Sequence, residues 1–490
     1  MFLVIEGHSF AYEMESLCRI FFPQKKIKVL KNNFESLQDD FVLCKMLELE
    51  HEYKIWVSAA IDSKKAKSVE KVFKSESMQE AECELKMAQA LFKVLSELTA
   101  YRPPWGILTG VRPAKLMLKL IEELGPKGAE AYFRDHLLVK EDKTALAQEV
   151  ALSESSLIKK IDKKAFSLYV AIPFCPSRCG YCSFVSHSIA GPKAKKSVEI
   201  YIENLIEELE YLGKTACALG MKAQSVYFGG GTPTSLSANQ LEKLFSTLEA
   251  SFDLSQVKEY SVEAGRPETI DQEKLNLFKK YEVDRISINP QSFNDKVLQD
   301  VKRGHTADST LAAYSLARKV GFKTINMDLI AGLPGDSIES FERSVEQTLA
   351  LEPENITIHT LALKRAADMQ AKEFVGAKSE NVSQMLNTAY GKLRGKSYLP
   401  YYMYRQSLTL GNLENTGWSK EGHECLYNII MMEECQSVFA AGAGAVTKLI
   451  KPEKKGLERV FNFKYPYEYN SRFSEILKRK DEIIRFFESA

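Results

Sequence analysis

Tryptophan, histidine and cysteine are scarce in this chain, with 3, 7 and 9 residues respectively among 490. Nine cysteines are too few to staple a chain of this length as a disulfide scaffold. Cys18, Cys44, Cys83, Cys217, Cys425 and Cys435 are scattered and read as reduced, mostly buried thiols. No sign of charge is in excess: a formal net charge of +1 gives no field to recruit nucleic acid or an anionic membrane. No run approaches the ~18 apolar residues that a membrane span requires. The opening MFLVIEGHSF has five apolar residues before Glu6, too short a run for a secretory signal. These absences lead to the expectation of a soluble cytoplasmic protein with two or three domains, no membrane span and no nucleic-acid partner.

Three of the cysteines are concentrated where the rest are not. In SLYVAIPFCPSRCGYCSF, a buried-strand pattern turns at Pro173 and presents Cys175, Cys179 and Cys182 in the spacing C-x3-C-x2-C. Soft thiolate ligands indicate zinc or an iron–sulfur cluster. Structural zinc wants four ligands, and no fourth Cys or His follows at finger spacing. His187 is the nearest candidate and reads more simply as a loop residue. Three cysteines would leave one iron of a four-iron cluster open to a ligand.

The first 160 or so residues alternate short strands (MFLVIEG, KIKVL, YKIWVSAAI) with charged helices, the pattern of a small α+β domain. In YRPPWGILTGVRP, prolines enforce extended or turn geometry and let a helix start only near Pro113. Arg102, Trp105 and Arg112 could hold an anion there, although a rigid connector with Trp105 as packing anchor is the simpler reading. From Ser167 the pattern is regular. Apolar, β-branched runs at 167–173, 225–229, 259–264, 285–290, 324–330 and 355–361 alternate with amphipathic helices, which predicts a covered parallel sheet. In such sheets ligands sit at the carboxyl ends of strands. Unusual polar or glycine residues occur there: Gly229-Gly230-Gly231-Thr232, Glu263, Asn289 with Gln291, and Asp328. A strand carboxylate is costly to bury without a partner, so several together point to the lining of one site. Arg303 could pair with a ligand carboxylate. The domain boundaries expected are 1–163, 164–365 and 366–490. His423 and Cys425 form an H-x-C pair with no complementary pair to complete a metal site.

The cysteine spacing is the signature of radical S-adenosylmethionine (SAM) enzymes. YVAIPFC, GGGTPT, VEA, RISINPQSF, MDLIAGLPG and GAGA, in that order, resemble the oxygen-independent coproporphyrinogen III oxidase family, with its HemZ-like branch and haem-chaperone relatives. The resemblance covers about residues 165 to 450. It implies an α/β fold: a partial (β/α)6 radical SAM barrel with an N-terminal α+β domain and a C-terminal α+β cap. It also implies that Cys175, Cys179 and Cys182 hold a [4Fe-4S] cluster whose open iron binds SAM. Tyr169, Gly230, Gly231, Thr232, Glu263, Gln291, Arg303 and Asp328 match the family's SAM-binding positions, and Ala362 and Val446 align with backbone or apolar contacts. The implied reaction is one-electron cleavage of SAM to a 5′-deoxyadenosyl radical. That radical abstracts a propionate β-hydrogen of coproporphyrinogen III, and loss of carbon dioxide and an electron leaves a vinyl group. Two rounds give protoporphyrinogen IX. The implied partners are a porphyrinogen or haem and an electron donor such as flavodoxin or ferredoxin. The chain departs from the oxidases at Ala171, where they carry His, and at Phe184, where they carry Cys and the haem chaperones carry Phe. The alternative reading is therefore a haem-binding chaperone that keeps the cluster and SAM site. For a tetracarboxylate ligand, Lys364, Arg365, Arg405 and Lys448 are candidates.

Overall fold

The structure, a computed structural model, describes residues 1–31, 40–73, 80–182, 187–362, 379–406, 409–451 and 456–488. Phe184, Lys364 and Arg365 therefore lie outside the described residues. The chain divides into two units, 1–151 with 404–414, and 152–403 with 415–490.

The first unit carries β1 (Phe2–Glu6), α1 (Ala11–Phe21), β2 (Lys28–Lys31), β3 (Phe41–Glu48), β4 (Glu52–Ile61), β5 (Lys64–Phe73), α2 (Glu80–Thr99), α3 (Pro113–Ala131) and α4, which starts at Glu141 and runs to Ile158. Its sheet has the order β2-β1-β3-β4-β5. β3 and β5 were not anticipated from the sequence. β5 reads KKAKSVEKVF, and its lysines suit a sheet edge, where charge discourages pairing with another chain. In α2, Cys83, Met87, Leu91, Leu95 and Leu98 recur at helical spacing and are all buried. Trp105 is a packing anchor: it is fully buried, and its Nε1 donates to Glu414 Oε2 at 2.7 Å. Lys143 Nζ pairs with the other oxygen of that carboxylate at 2.7 Å. Burial would raise the Glu414 carboxyl, but the Lys143 charge and hydrogen bond hold it below its usual range. Arg405 lies over the Trp105 ring and donates to Leu108 O at 2.7 Å and Gly110 O at 3.2 Å. Its Nε and Nη1 are used on carbonyls inside this unit and the side chain is buried, which removes it as a candidate for an exposed ligand clamp.

The second unit begins with β6 (Phe166–Ile172), β7 (Phe174–Cys175), β8 (His187–Ser188), α5 (Pro192–Ala218), β9 (Ala223–Gly230), α6 (Ala238–Ser251), β10 (Glu259–Glu263), α7 (Gln272–Lys280) and β11 (Arg285–Ser287). It continues with α8 (Asp295–Asp300), α9 (Ala307–Val320), β12 (Thr324–Ala331), α10 (Ile338–Ala350) and β13 (Asn355–Thr360). After these come α11 (Ser379–Gly395), β14 (Leu399–Arg405), β15 (Glu414–Ser419), α12 (Leu426–Glu433), β16 (Ser437–Ala441), β17 (Val446–Leu449), β18 (Glu458–Phe461), α13 (Pro466–Ser471) and α14 (Phe473–Glu488). Apart from β7 and β8, which pair with each other, the described strands from β6 onward form one mixed sheet of 11, ordered β14-β15-β13-β12-β11-β10-β9-β6-β16-β17-β18. Its six central strands are parallel and follow the sequence order, so right-handed crossovers put every connecting helix on the same face. That face is apolar. Leu168, Val170, Val226, Phe228, Val262, Ile286, Ile325 and Met327 join one buried cluster with residues of α5, α6, α7 and α9. Each such aliphatic side chain contributes about 1.5–3 kcal/mol through burial.

Residues in register on neighbouring strands point the same way. Tyr169 pairs with Tyr227, Tyr227 with Ser261, Glu263 with Ser287, Ser287 with Asn326 and Asp328 with Thr357. The second face of the sheet is therefore polar along its length, not at the strand ends alone. Helix α12 is tied to that polar face by Glu259, whose carboxylate accepts from Leu426 N at 2.9 Å and Tyr427 N at 3.2 Å. Cys425 Sγ donates to Glu259 at 3.2 Å, and His423 Nδ1 lies 2.9 Å from Thr324 Oγ1. The H-x-C pair thus serves to seat the start of α12.

Candidate functional site

The cysteine stretch is fixed by backbone pairing on both sides. β7 pairs with β8, so His187 and Ser188 run beside Phe174 and Cys175. Gly180 N bonds to Val301 O at 3.0 Å, just past α8. The glycine turn after β9 docks on the same stretch, with Gly231 N on Ile172 O and Thr232 N on Phe174 O, both at 2.8 Å. A Cβ at Gly231 would stand 2.6 Å from Phe174 O and 2.8 Å from Phe174 N. The need for glycine there comes from the cysteine strand itself. Gly230 has φ 110°, in the region that favours glycine.

Cys175 and Cys179 are buried and Cys182 is partly exposed. Cys175 Sγ lies 3.4 Å from Thr232 Oγ1. Cys179 Sγ receives two guanidinium donors, Arg266 Nη1 at 3.2 Å and Arg303 Nη1 at 3.6 Å. Arg303 follows α8 by three residues and also donates to Tyr181 OH at 3.3 Å, Gly265 O at 2.5 Å and Asn289 O at 3.0 Å. Most of its donors are therefore spent on the chain, while its Nε is buried with no partner. Among the described residues no three His, Cys, Asp or Glu side chains are close enough to share one metal ion. A four-iron cluster makes no such demand, because each thiolate takes its own iron.

Tyr169, Glu263 and Asp328 lie on the polar side of β6, β10 and β12, and Gln291 lies just beyond β11, bridged to Leu329 of β12. Tyr169 is stacked at 5.9 Å on Tyr427, which also stacks on Tyr227 at 4.3 Å. Tyr227 OH donates to Glu263 Oε1 at 2.7 Å. Burial pushes the Glu263 carboxyl up to about 7, against the lowering effect of the Tyr227 hydrogen bond. Burial also opposes ionisation of Asp328, but His359, with Nε2 at 3.5 Å, brings it below its ordinary value. Gln291 has φ 64° and is held by backbone bonds to Asp328 O and from Ile330 N. Ala362 lies beyond the end of β13 and Val446 opens β17, two strands from β6; both are half-buried. Lys448 Nζ donates to Met431 O at 3.2 Å and lies 3.6 Å from Glu434.

The buried atoms Asn289 Oδ1, Gln291 Oε1 and Ser261 Oγ have no hydrogen-bond partner in the chain. Leaving such a group unmet costs about 1–3 kcal/mol. Ser261 is on the polar face in register with Tyr227, and Asn289 is tied through Arg303 to Cys179, so unmet acceptors there fit a polar ligand, and the thiolates fit an iron–sulfur centre.

Ala171 sits on the same side of β6 as Tyr169 and is buried with Ala440 and Ala445. Tyr201 OH donates to Ala171 O and accepts from Ala443 N, both at 2.8 Å. A Cβ at Gly442 would stand 3.1 Å from the Ala171 Cβ and 2.6 Å from its carbonyl oxygen.

Several of these participants were not singled out from sequence. Arg266, three residues after Glu263, could have been noticed as a charged residue following a strand end. Tyr227 and His359 lie on strands that also carry Ser225 and Thr357, so neither stood out as a polar residue. Tyr427 gave no signal, since it sits among the largely apolar residues of α12.

Comparison with known proteins agrees with this arrangement. Residues 169–348 match the Radical SAM superfamily. The chain is 37% identical over 459 residues, 92% of its length and 90% of the relative's, to the "oxygen-independent coproporphyrinogen-III oxidase-like protein HemZ" of Bacillus subtilis (strain 168). The chain belongs to the radical SAM superfamily as a HemZ-like protein. It is also 28% identical to the haem chaperone HemW of Lactococcus lactis, over 66% of this chain and 80% of the relative. A solved structure, coproporphyrinogen III oxidase (HemN) from Escherichia coli, shares the fold with a TM-score of 0.50 at 21% identity, covering 66% of this chain and 72% of that one. The cofactors of this HemZ-like protein are accordingly a [4Fe-4S] cluster and SAM. Among its described residues no helix is long and apolar enough to cross a membrane.

Proposed function

We propose that this HemZ-like protein carries out SAM-dependent, oxygen-independent oxidative decarboxylation of coproporphyrinogen III propionates to vinyls. The observation that carries this reading is the match to the oxidase-like HemZ protein along 92% of the chain. In it, the six sequential parallel strands are a partial (β/α)6 barrel with an N-terminal α+β domain and a C-terminal cap. Cys175, Cys179 and Cys182 hold the cluster, and the Gly230-Gly231-Thr232 turn, Tyr169, Glu263, Gln291 and Asp328 line the SAM site. When bound, cluster and SAM supply a carbon-centred radical through one-electron cleavage of SAM. The chain's own residues orient and shield. Glu263, held by Tyr227, offers its second oxygen to hydroxyls; Gln291 Oε1 and Asn289 Oδ1 accept from donors; the stack of Tyr169, Tyr427 and Tyr227 keeps water from one side. The porphyrinogen, an electron donor of the flavodoxin or ferredoxin kind and a cytoplasmic location complete the reading.

One observation favours a second reading, a haem-binding chaperone. Ala171, at the position where the oxidases carry His, is buried against the Gly442 turn, so the polar face offers no imidazole there. Anaerobic incubation of the reconstituted protein with coproporphyrinogen III, SAM and dithionite separates the two. Vinyl product with 5′-deoxyadenosine supports the enzyme. 5′-Deoxyadenosine without vinyl product overturns it, and stable haem binding in the same sample supports the chaperone. Cys179→Ala is expected to abolish the visible thiolate-to-iron charge-transfer absorbance, and its persistence would refute the ligand assignment.

A further inference from the structure

The Cys179 sulfur sits beside a firmly held guanidinium. Arg266 Nη1 approaches the Sγ to 3.2 Å, and the Arg266 residue is 2% exposed. Its remaining donors are fixed: Nη1 on Ser177 O at 3.3 Å, Nη2 on Ser177 Oγ at 3.0 Å, and Nε on Glu268 Oε1 at 2.7 Å. Glu268 pairs with Nη2 as well, and its other oxygen lies 3.7 Å from His305 Nδ1. Room for this assembly depends on Gly304, where a Cβ would stand 3.0 Å from Arg266 Nη2 and 3.2 Å from Glu268 Oε1. A guanidinium held this firmly, and partly neutralised by a carboxylate behind it, is an electrostatic setting and not a surface charge.

We propose that Arg266 is a positioning residue that sets the reduction potential of the cluster through the Cys179 thiolate, with Glu268 as its counterweight. The inference rests on the reading of Cys179 as a cluster ligand. Reduction adds one electron to the cluster and increases the negative charge on its thiolates. A charge-assisted N–H···S bond therefore stabilises the reduced state more than the oxidised one and raises the potential. Removing the donor lowers it. Removing the carboxylate that offsets the donor's charge raises it.

The test is a dye-mediated dithionite titration of the anaerobically reconstituted full-length protein, read by electron paramagnetic resonance, for the wild type, Arg266→Met and Glu268→Gln. Arg266→Met is expected to lower the reduced-to-oxidised ratio at fixed poise about tenfold, a shift of about 59 mV for one electron. Glu268→Gln is expected to shift the midpoint the opposite way, and Arg266→Lys to restore part of the loss. Unchanged midpoints in Arg266→Met and Glu268→Gln overturn the proposal. So do shifts of the same sign in both, since loosening of the loop would act alike on each. If Arg266→Met assembles no cluster, the Glu268→Gln shift decides: upward supports the proposal, while unchanged or downward overturns it. Wild-type protein that takes up no iron and sulfide would instead refute the cluster reading of Cys179.

Discussion

The side chains of Glu208 and Lys480 are both fully buried, with Lys480 Nζ 3.0 Å from Glu208 Oε1. The carboxylate also accepts from Gly442 N at 2.8 Å, Asn462 Nδ2 at 2.7 Å and Tyr469 OH at 2.6 Å. Lys480 donates in addition to Ala440 O at 2.7 Å. Lys480→Met leaves a buried carboxylate with three donors but no cation. Glu208→Gln leaves a buried ammonium with no anion. Each single change is expected to cost about 3–5 kcal/mol, because an uncompensated charge stays out of water. The double variant removes both charges, and its expected loss is about 1–2 kcal/mol, so the coupling is at least roughly 4 kcal/mol. Against a total stability of about 5–15 kcal/mol, either single change is severe. Native-state hydrogen exchange of the backbone amides of β16 and α5 reads the loss in the unit that holds the pair. The Gly442 turn that Glu208 caps is also the one packed on Ala171, so exchange at 442–445 is expected to rise first. Single losses below about 1 kcal/mol, or losses that simply add, would refute the argument.

Three further perturbations test other parts of the structure. Gly231→Ala forces a Cβ against the Phe174 backbone, with an expected cost of about 1–3 kcal/mol in urea unfolding and a reduced iron content after reconstitution; unchanged values would contradict the docking of the glycine turn. Because burial raises the Glu263 carboxyl to about 7, the folded state binds its proton more tightly than the unfolded chain does. Its contribution is present below about pH 4.5 and is lost as pH rises through about 7. A full shift of that size implies about 3 kcal/mol, and solvent screening of a half-buried side chain reduces it to roughly 1–2. Glu263→Gln is expected to flatten the fall in urea stability between pH 5 and 7.5, and an unaltered slope would count against the shift. Arg405→Leu strands the carbonyls of Leu108 and Gly110, so a stability loss of about 1–3 kcal/mol in the first unit is expected, with ligand affinity unchanged; the reverse pattern would return Arg405 to the ligand site.

The sequence by itself determined the features whose information is local. The six parallel strands were legible because each carries β-branched and apolar residues on the face that packs against the helices, as Phe166, Leu168, Val170 and Ile172 do. The cysteine stretch and the glycine turn were legible because their spacing and residue types lie within a few positions of one another. Pro113 marked a helix start through its fixed φ. Tertiary structure alone decided whatever depends on partners far apart in the chain. Nothing near Arg405 announces that its guanidinium is used on residues 108 and 110, and exposed and buried arginines read alike in a sequence. β5 was hidden because lysines at a sheet edge resemble a solvated loop. Arg266 and Arg303 meet at one sulfur only because β10 and the residues after α8 come together beside the cysteine loop. Lys480 reaches Glu208 across most of the second unit's length, and no periodicity within either helix encodes that meeting. Local pattern specifies which element forms and which side it buries, whereas the pairing of charges across elements follows from how those elements pack.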